Sequence, residues 1–135
     1  MTLAESQNQQ GNHKFDLADL VSSLIILKAP NRAVDQIVEA MLAGNNPRNE
    51  ITQISVVGNK WLYSVTPYYT RDIKSVEVLA ARRGVRFFIK KIGAVFSVTA
   101  TMPKTGKTVT SAAPLEAPAV IAAIAGLSYT GASVV

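Results

Sequence analysis

Apolar residues recur at helical spacing twice near the start of the chain. Leu17, Leu20, Val21, Leu24 and Ile25 fall on one stripe behind Asp16, a residue type that caps helix starts, and predict a helix to about Leu27. Pro30 and Asn31 interrupt it. Val34, Ile37, Val38, Met41 and Leu42 then predict a second helix over 32–43, with Gly44 as its C-terminal cap. Two amphipathic helices joined by a short loop make an N-terminal helical hairpin.

Beyond the linker Asn45-Asn46-Pro47 the period drops from near 3.6 to 2. Residues 51–57 and 60–66 flank Gly58-Asn59, a two-residue hairpin turn with Gly first. Pairing Val57 with Lys60 sets Val56 opposite Trp61, Ile54 opposite Tyr63 and Thr52 opposite Val65 on one apolar face. The other face collects Gln53, Ser55, Leu62 and Ser64, so the hairpin is expected to be half-buried. Thr70 is the expected cap of a middle helix to Ala81, with Ile73, Val76, Leu79 and Ala80 inward and Gly84 ending it. The β-branched residues there leave a strand over 75–80 as the alternative. Strands follow over 85–92 and 94–102, then a turn at Pro103-Lys104-Thr105-Gly106-Lys107 and a short strand to about Ser111. Pro114 and Pro118 precede an Ala-rich helix over 119–127.

This order predicts an α+β domain: an antiparallel or mixed sheet of about five strands, the N-terminal helical hairpin, one middle helix and a C-terminal helix. Residues 1–14 read as a polar arm, 15–127 as a single domain and 128–135 as a C-terminal arm. No repeat of solenoid length is present.

Composition sharpens this reading. At 135 residues the chain has room for one core. It is 48% hydrophobic and 17% charged, against about 25% charged in an average soluble domain. The surplus apolar surface enlarges the core or lies in contacts with other chains. There is no Cys, which removes disulfides, thiolate metal sites and Cys nucleophiles. No apolar run reaches the roughly 20 residues of a membrane span. The stretch 1–12 lacks a basic, apolar leader, so no signal peptide is expected.

Charge is distributed unevenly. Nine of the 14 Lys and Arg lie between Arg71 and Lys107, with only Asp72 and Glu77 against them, about +7 within a whole-chain net of +5. Such a local field attracts polyanions. Its densest part, Arg82, Arg83, Arg86, Lys90 and Lys91, surrounds Phe87 and Phe88, and Lys104 and Lys107 stand at the next turn. On a strand, Arg86, Phe88 and Lys90 project together. Phe88 is then either an exposed stacking platform for a nucleic-acid base or packed under the last helix with the two cations snorkelling outward. Cations at Arg82 and Arg83 also suit the C-terminal end of a helix.

Catalytic patterns are missing. His13, the sole histidine, lies in the polar arm, so a Ser-His-acid triad has no base in the folded part. Asp35 and Glu39 share a helix face and read as a solvated pair. Gly106-Lys107-Thr108 imitates the end of a phosphate-binding loop, but Thr101 stands where its first glycine belongs, and a strand rather than a helix follows. No enzyme, cofactor or metal is expected.

In composition the chain resembles small virion proteins of bacteriophages, being Cys-free, rich in Ala, Val and Thr, single-domain and armed at both ends. The resemblance carries no motif. It implies a structural subunit of a repeating capsid or tail assembly, in the virion or in the host cytoplasm before assembly. Homo-oligomer contacts or other structural subunits are then the expected partners, with Val134 and Val135 as candidate subunit contacts. The alternative is a nucleic-acid-binding protein that uses the basic segment.

Overall fold

A computed structural model describes residues 16–44, 51–57 and 60–133. The N-terminal helices are α1 (Leu17–Leu24) and α2 (Arg32–Met41). Asp16 caps α1 reciprocally: its carboxylate accepts from the Asp19 amide, and the Asp19 carboxylate accepts from the Asp16 amide, each at 2.9 Å. Asn31 caps α2 through the Val34 amide. The helices bury Leu20 and Leu24 of the α1 stripe and Val34 and Val38 of the α2 stripe, but α1 ends at Leu24 rather than near Leu27, and Ile25, expected on its stripe, is exposed. Gly44 follows α2 with φ +79°, a left-handed conformation natural to glycine.

Strands β1 (Ile51–Val57) and β2 (Lys60–Val65) pair antiparallel, with Ile54 opposite Tyr63, Val56 opposite Trp61 and Val57 opposite Lys60, as the alternation requires. The expected pairing of Thr52 with Val65 does not form. The register shifts between Ile51 and Gln53, so Ile51 meets Val65 instead. The Gly58-Asn59 turn lies outside the described residues.

The middle segment is helix α3 (Ile73–Arg82), not strand. Its cap is Asp72, which accepts from the Lys74 amide, rather than Thr70. Thr70 is buried and hydrogen-bonded elsewhere. Val76, Leu79 and Ala80 face inward, and Gly84 turns the chain with φ +68°. Strands β3 (Arg86–Ile92), β4 (Val95–Met102) and β5 (Lys107–Ala113) form an antiparallel meander in the order β3-β4-β5.

The expectation of one sheet of about five strands is corrected here. The domain's sheet has three strands, and β1 and β2 form a two-stranded sheet of their own. The reason lies at the end of β2, where the chain is fastened to α2. That helix packs on α1, α1 on α4, and α4 on the sheet.

Helix α4 (Glu116–Ser133) is much longer than its Ala-rich segment predicts. It starts before Pro118, which is tolerated because the first turn of a helix needs no amide donor there. It also continues through residues 128–133, where a C-terminal arm was expected. Val134 and Val135, like the N-terminal arm with His13, lie outside the described residues. Every residue from Ala117 to Ala125 is buried, which is what an apolar pattern on all sides of a helix implies. One side lies on the inner face of the sheet (Val98, Ala100, Ala113) and the other on α1 and α3. Gly126 permits the close approach to β5: a Cβ there would meet Val109 Cγ1 at 2.9 Å.

Candidate functional site

Among the described residues, the second face of the sheet stands uncovered. The register sets three rows across it: Arg86, Thr101 and Thr108; Phe88, Thr99 and Thr110; Lys90, Ser97 and Ala112. Alternation sends Phe87 and Ile89 toward α4 and their neighbours outward. Phe88 accordingly keeps 66% of its surface exposed, and the arrangement with this ring under the last helix is ruled out. Arg86 and Lys90 are exposed on either side of it. Thr99 and Thr110 hydroxyls meet at 3.5 Å and those of Thr101 and Thr108 at 3.2 Å, cross-strand pairs that fix a polar floor beside the ring. Ile92 and Val95, paired at one end of the same face, are exposed as well.

The other basic residues of the segment divide by position. Arg83 closes α3 and turns into the protein. Its guanidinium donates to the Leu42 carbonyl oxygen at 2.8 Å and to Ser128 Oγ at 2.6 Å, tying the end of α2 to α4. It is a clamp, not a surface contact. Arg82, one residue earlier, is exposed. Lys91 has inward parity on β3 and lies over the Phe96 ring, 5.5 Å from its centroid. Lys104 is exposed on the β4–β5 turn. Because Arg86 pairs with Thr101 and Met102 with Lys107, that turn lies at the Arg86 end of the sheet. Lys107 is half-buried and has the parity of the inner face. Thus Arg86, Phe88 and Lys90 share one surface, with Lys104 at its edge.

Asp35 and Glu39 overturn the expectation of a solvated pair: they are 2% and 3% exposed. Asp35 accepts from the Thr70 amide at 2.8 Å, the Thr70 hydroxyl at 2.7 Å and Arg32 Nη1 at 2.9 Å. Arg32 also donates to the carbonyl oxygens of Thr66 and Pro67. Its guanidinium stacks on Tyr68, whose ring also contacts the Arg71 guanidinium. The Tyr69 hydroxyl donates to Glu39 Oε1. Burial, then the hydrogen bond and negative charge of Glu39, push the Tyr69 phenol well above its usual range. Spacing showed that the two acids share a face but not that the face is covered. The groups that cover it, Tyr69 and Thr70, come from a distant segment of the chain, so no local spacing signals them. The network anchors the 66–70 loop to α2; Thr70 also lines a small open pocket with Arg71 and Glu116, and Tyr69 another with Pro67 and Arg82.

No protein-family model matches this chain, and no curated protein matches it. Among solved structures the fold is similar to that of a phage protein from Bacillus cereus, known from a 2.0 Å crystal structure. The TM-score is 0.50 at 16% identity, over 73% of this chain and 90% of the other. At that identity the likeness is one of fold.

Proposed function

We propose that the protein is a non-enzymatic structural subunit of a repeating assembly, a capsid or tail component of a bacteriophage virion that passes through the host cytoplasm before assembly. The observation that carries this reading is the separate hairpin. β1 and β2 are paired with each other and not with the domain's sheet, and an isolated two-stranded hairpin is marginal in water. Its sequence alternation nevertheless puts Ile54, Val56, Trp61 and Tyr63 on one side. An apolar face of that kind suits contact with a neighbouring subunit. Apolar groups outside the finished core agree with this, notably Ile26 at 70% and Val78 at 55% exposure. The likeness in fold to a phage protein supports the setting.

Light scattering coupled to size exclusion tests the reading. The expected result is a species of several subunits whose mass rises with concentration. A strict monomer at high concentration overturns it.

A further inference from the structure

From the bare face of the three-stranded sheet we infer a binding site for single-stranded nucleic acid, centred on Phe88. This site is independent of the assembly reading, which concerns the hairpin. Three observations converge. First, the outer face carries Arg86 and Lys90, with Lys104 at its edge, and the sheet from Arg86 to Ala113 holds not one Asp or Glu. Its charge is complementary to a phosphate backbone and to little else of that size. Second, an aromatic ring of 66% exposure stands between two exposed cations on one strand. Same-face side chains on a strand are about 7 Å apart, so a base stacked on Phe88 has a cation within reach of the phosphate on each side. Third, the rows across β4 and β5 offer the hydroxyls of Ser97, Thr99, Thr101, Thr108 and Thr110 beside the ring. These are donors and acceptors for base edges or sugar, and no branched apolar side chain rises beside Phe88 in its row to block a base.

The occupant is single-stranded because stacking needs an open base face, which a duplex keeps inside its stack. The sheet also presents no helix to enter a groove. Cations alone would attract any polyanion; the ring makes the site select unstacked bases.

The test is fluorescence anisotropy of a labelled oligothymidylate across a salt series, with the duplex of the same length in parallel. Wild type is expected to bind the single strand more tightly than the duplex. Phe88→Ala weakens binding about ten-fold, the loss of one stacked base, and Phe88→Trp retains it. The pair Arg86→Ala and Lys90→Ala lowers the slope of log K against log salt by about 1.4, two contacts at ~0.7 each. Lys74→Ala, an exposed cation on α3, leaves affinity unchanged. No binding at low salt, equal or tighter binding of the duplex, or a Phe88→Ala variant that binds like wild type each overturns the proposal. The assembly state, read by scattering in the same buffer, fails or holds separately.

Discussion

Asp35→Ala should cost about 3 kcal/mol of stability. The substitution removes a carboxylate that is 2% exposed and accepts three hydrogen bonds. The Thr70 amide is left buried without its acceptor, a loss of about 1–3 kcal/mol. Breaking a buried ion pair by removing one partner costs about 3–5 kcal/mol. Arg32 retains a quarter of its side-chain surface in water and keeps the carbonyls of Thr66 and Pro67. Its own penalty is therefore partial, which puts the total at the low end. Against a total stability of about 5–15 kcal/mol this is large, and it corresponds to a fall in Tm of about 10 °C. Asp35→Asn keeps one acceptor for Thr70 but loses the charge toward Arg32, so it should fall between Ala and wild type. Urea denaturation followed by circular dichroism measures both, with the m-value as a check that unfolding stays two-state. An ordinary solvated position changes stability by at most about 0.5 kcal/mol. A loss that small for Asp35→Ala would refute the account of the network as the anchor of the 66–70 loop.

Three further substitutions separate internal from external roles. Arg83→Ala loses two charge-assisted hydrogen bonds and should destabilise by about 2–4 kcal/mol, while Arg86→Ala and Lys90→Ala on the bare face leave Tm within a degree or two; thermal denaturation of the three variants decides it, and equal Tm values would contradict the clamp. Tyr69 holds its proton in the folded state above the pH at which the unfolded phenol releases it. Stability from this group is therefore complete below about pH 10 and falls as pH rises beyond it, by up to about 1.4 kcal/mol per pH unit. Urea midpoints measured on both sides of that pH should show the fall in wild type and a smaller one in Tyr69→Phe.

The elements were legible where one local rule governed them. The stripes of α1 and α2, the inward face of α3 and the alternation of β3 and β4 follow from period alone. Glycines at 44 and 84 stand where the chain turns left-handed. What failed was non-local. Thr70 looks like a cap because it precedes an apolar period, but Asp35, 35 residues earlier, engages both its amide and its hydroxyl, and capping passes to Asp72. Asp35 and Glu39 look solvated because spacing reports which face a residue occupies and not what lies over it. The split of the strands into two sheets escaped for the same reason, since the fastening of β2's end to α2 is a contact between distant segments. Of the basic segment, alternation placed Arg86, Phe88 and Lys90 on one face. It could not show that Arg83 reaches back to Leu42.

The apolar surplus of the composition has a definite destination, and it bears on what the surface does. A helix buried on every side needs apolar residues around its full circumference, and α4 supplies them from Ala117 to Ala125. Much of the 48% hydrophobic content is therefore core, and composition alone is no argument for assembly. Only apolar groups that the core does not use bear on assembly. Among the described residues those include Ile26 beyond the end of α1, Val78 on α3, and Phe88 with Ile92 and Val95 on the outer sheet face. The last group alone is set among cations and hydroxyls with no acid on the sheet. A subunit interface prefers to be free of charge at its centre, whereas a nucleic-acid platform needs cations beside its ring. The sheet face meets the second requirement, so on the readings proposed above subunit contacts are expected on other surfaces, the hairpin among them.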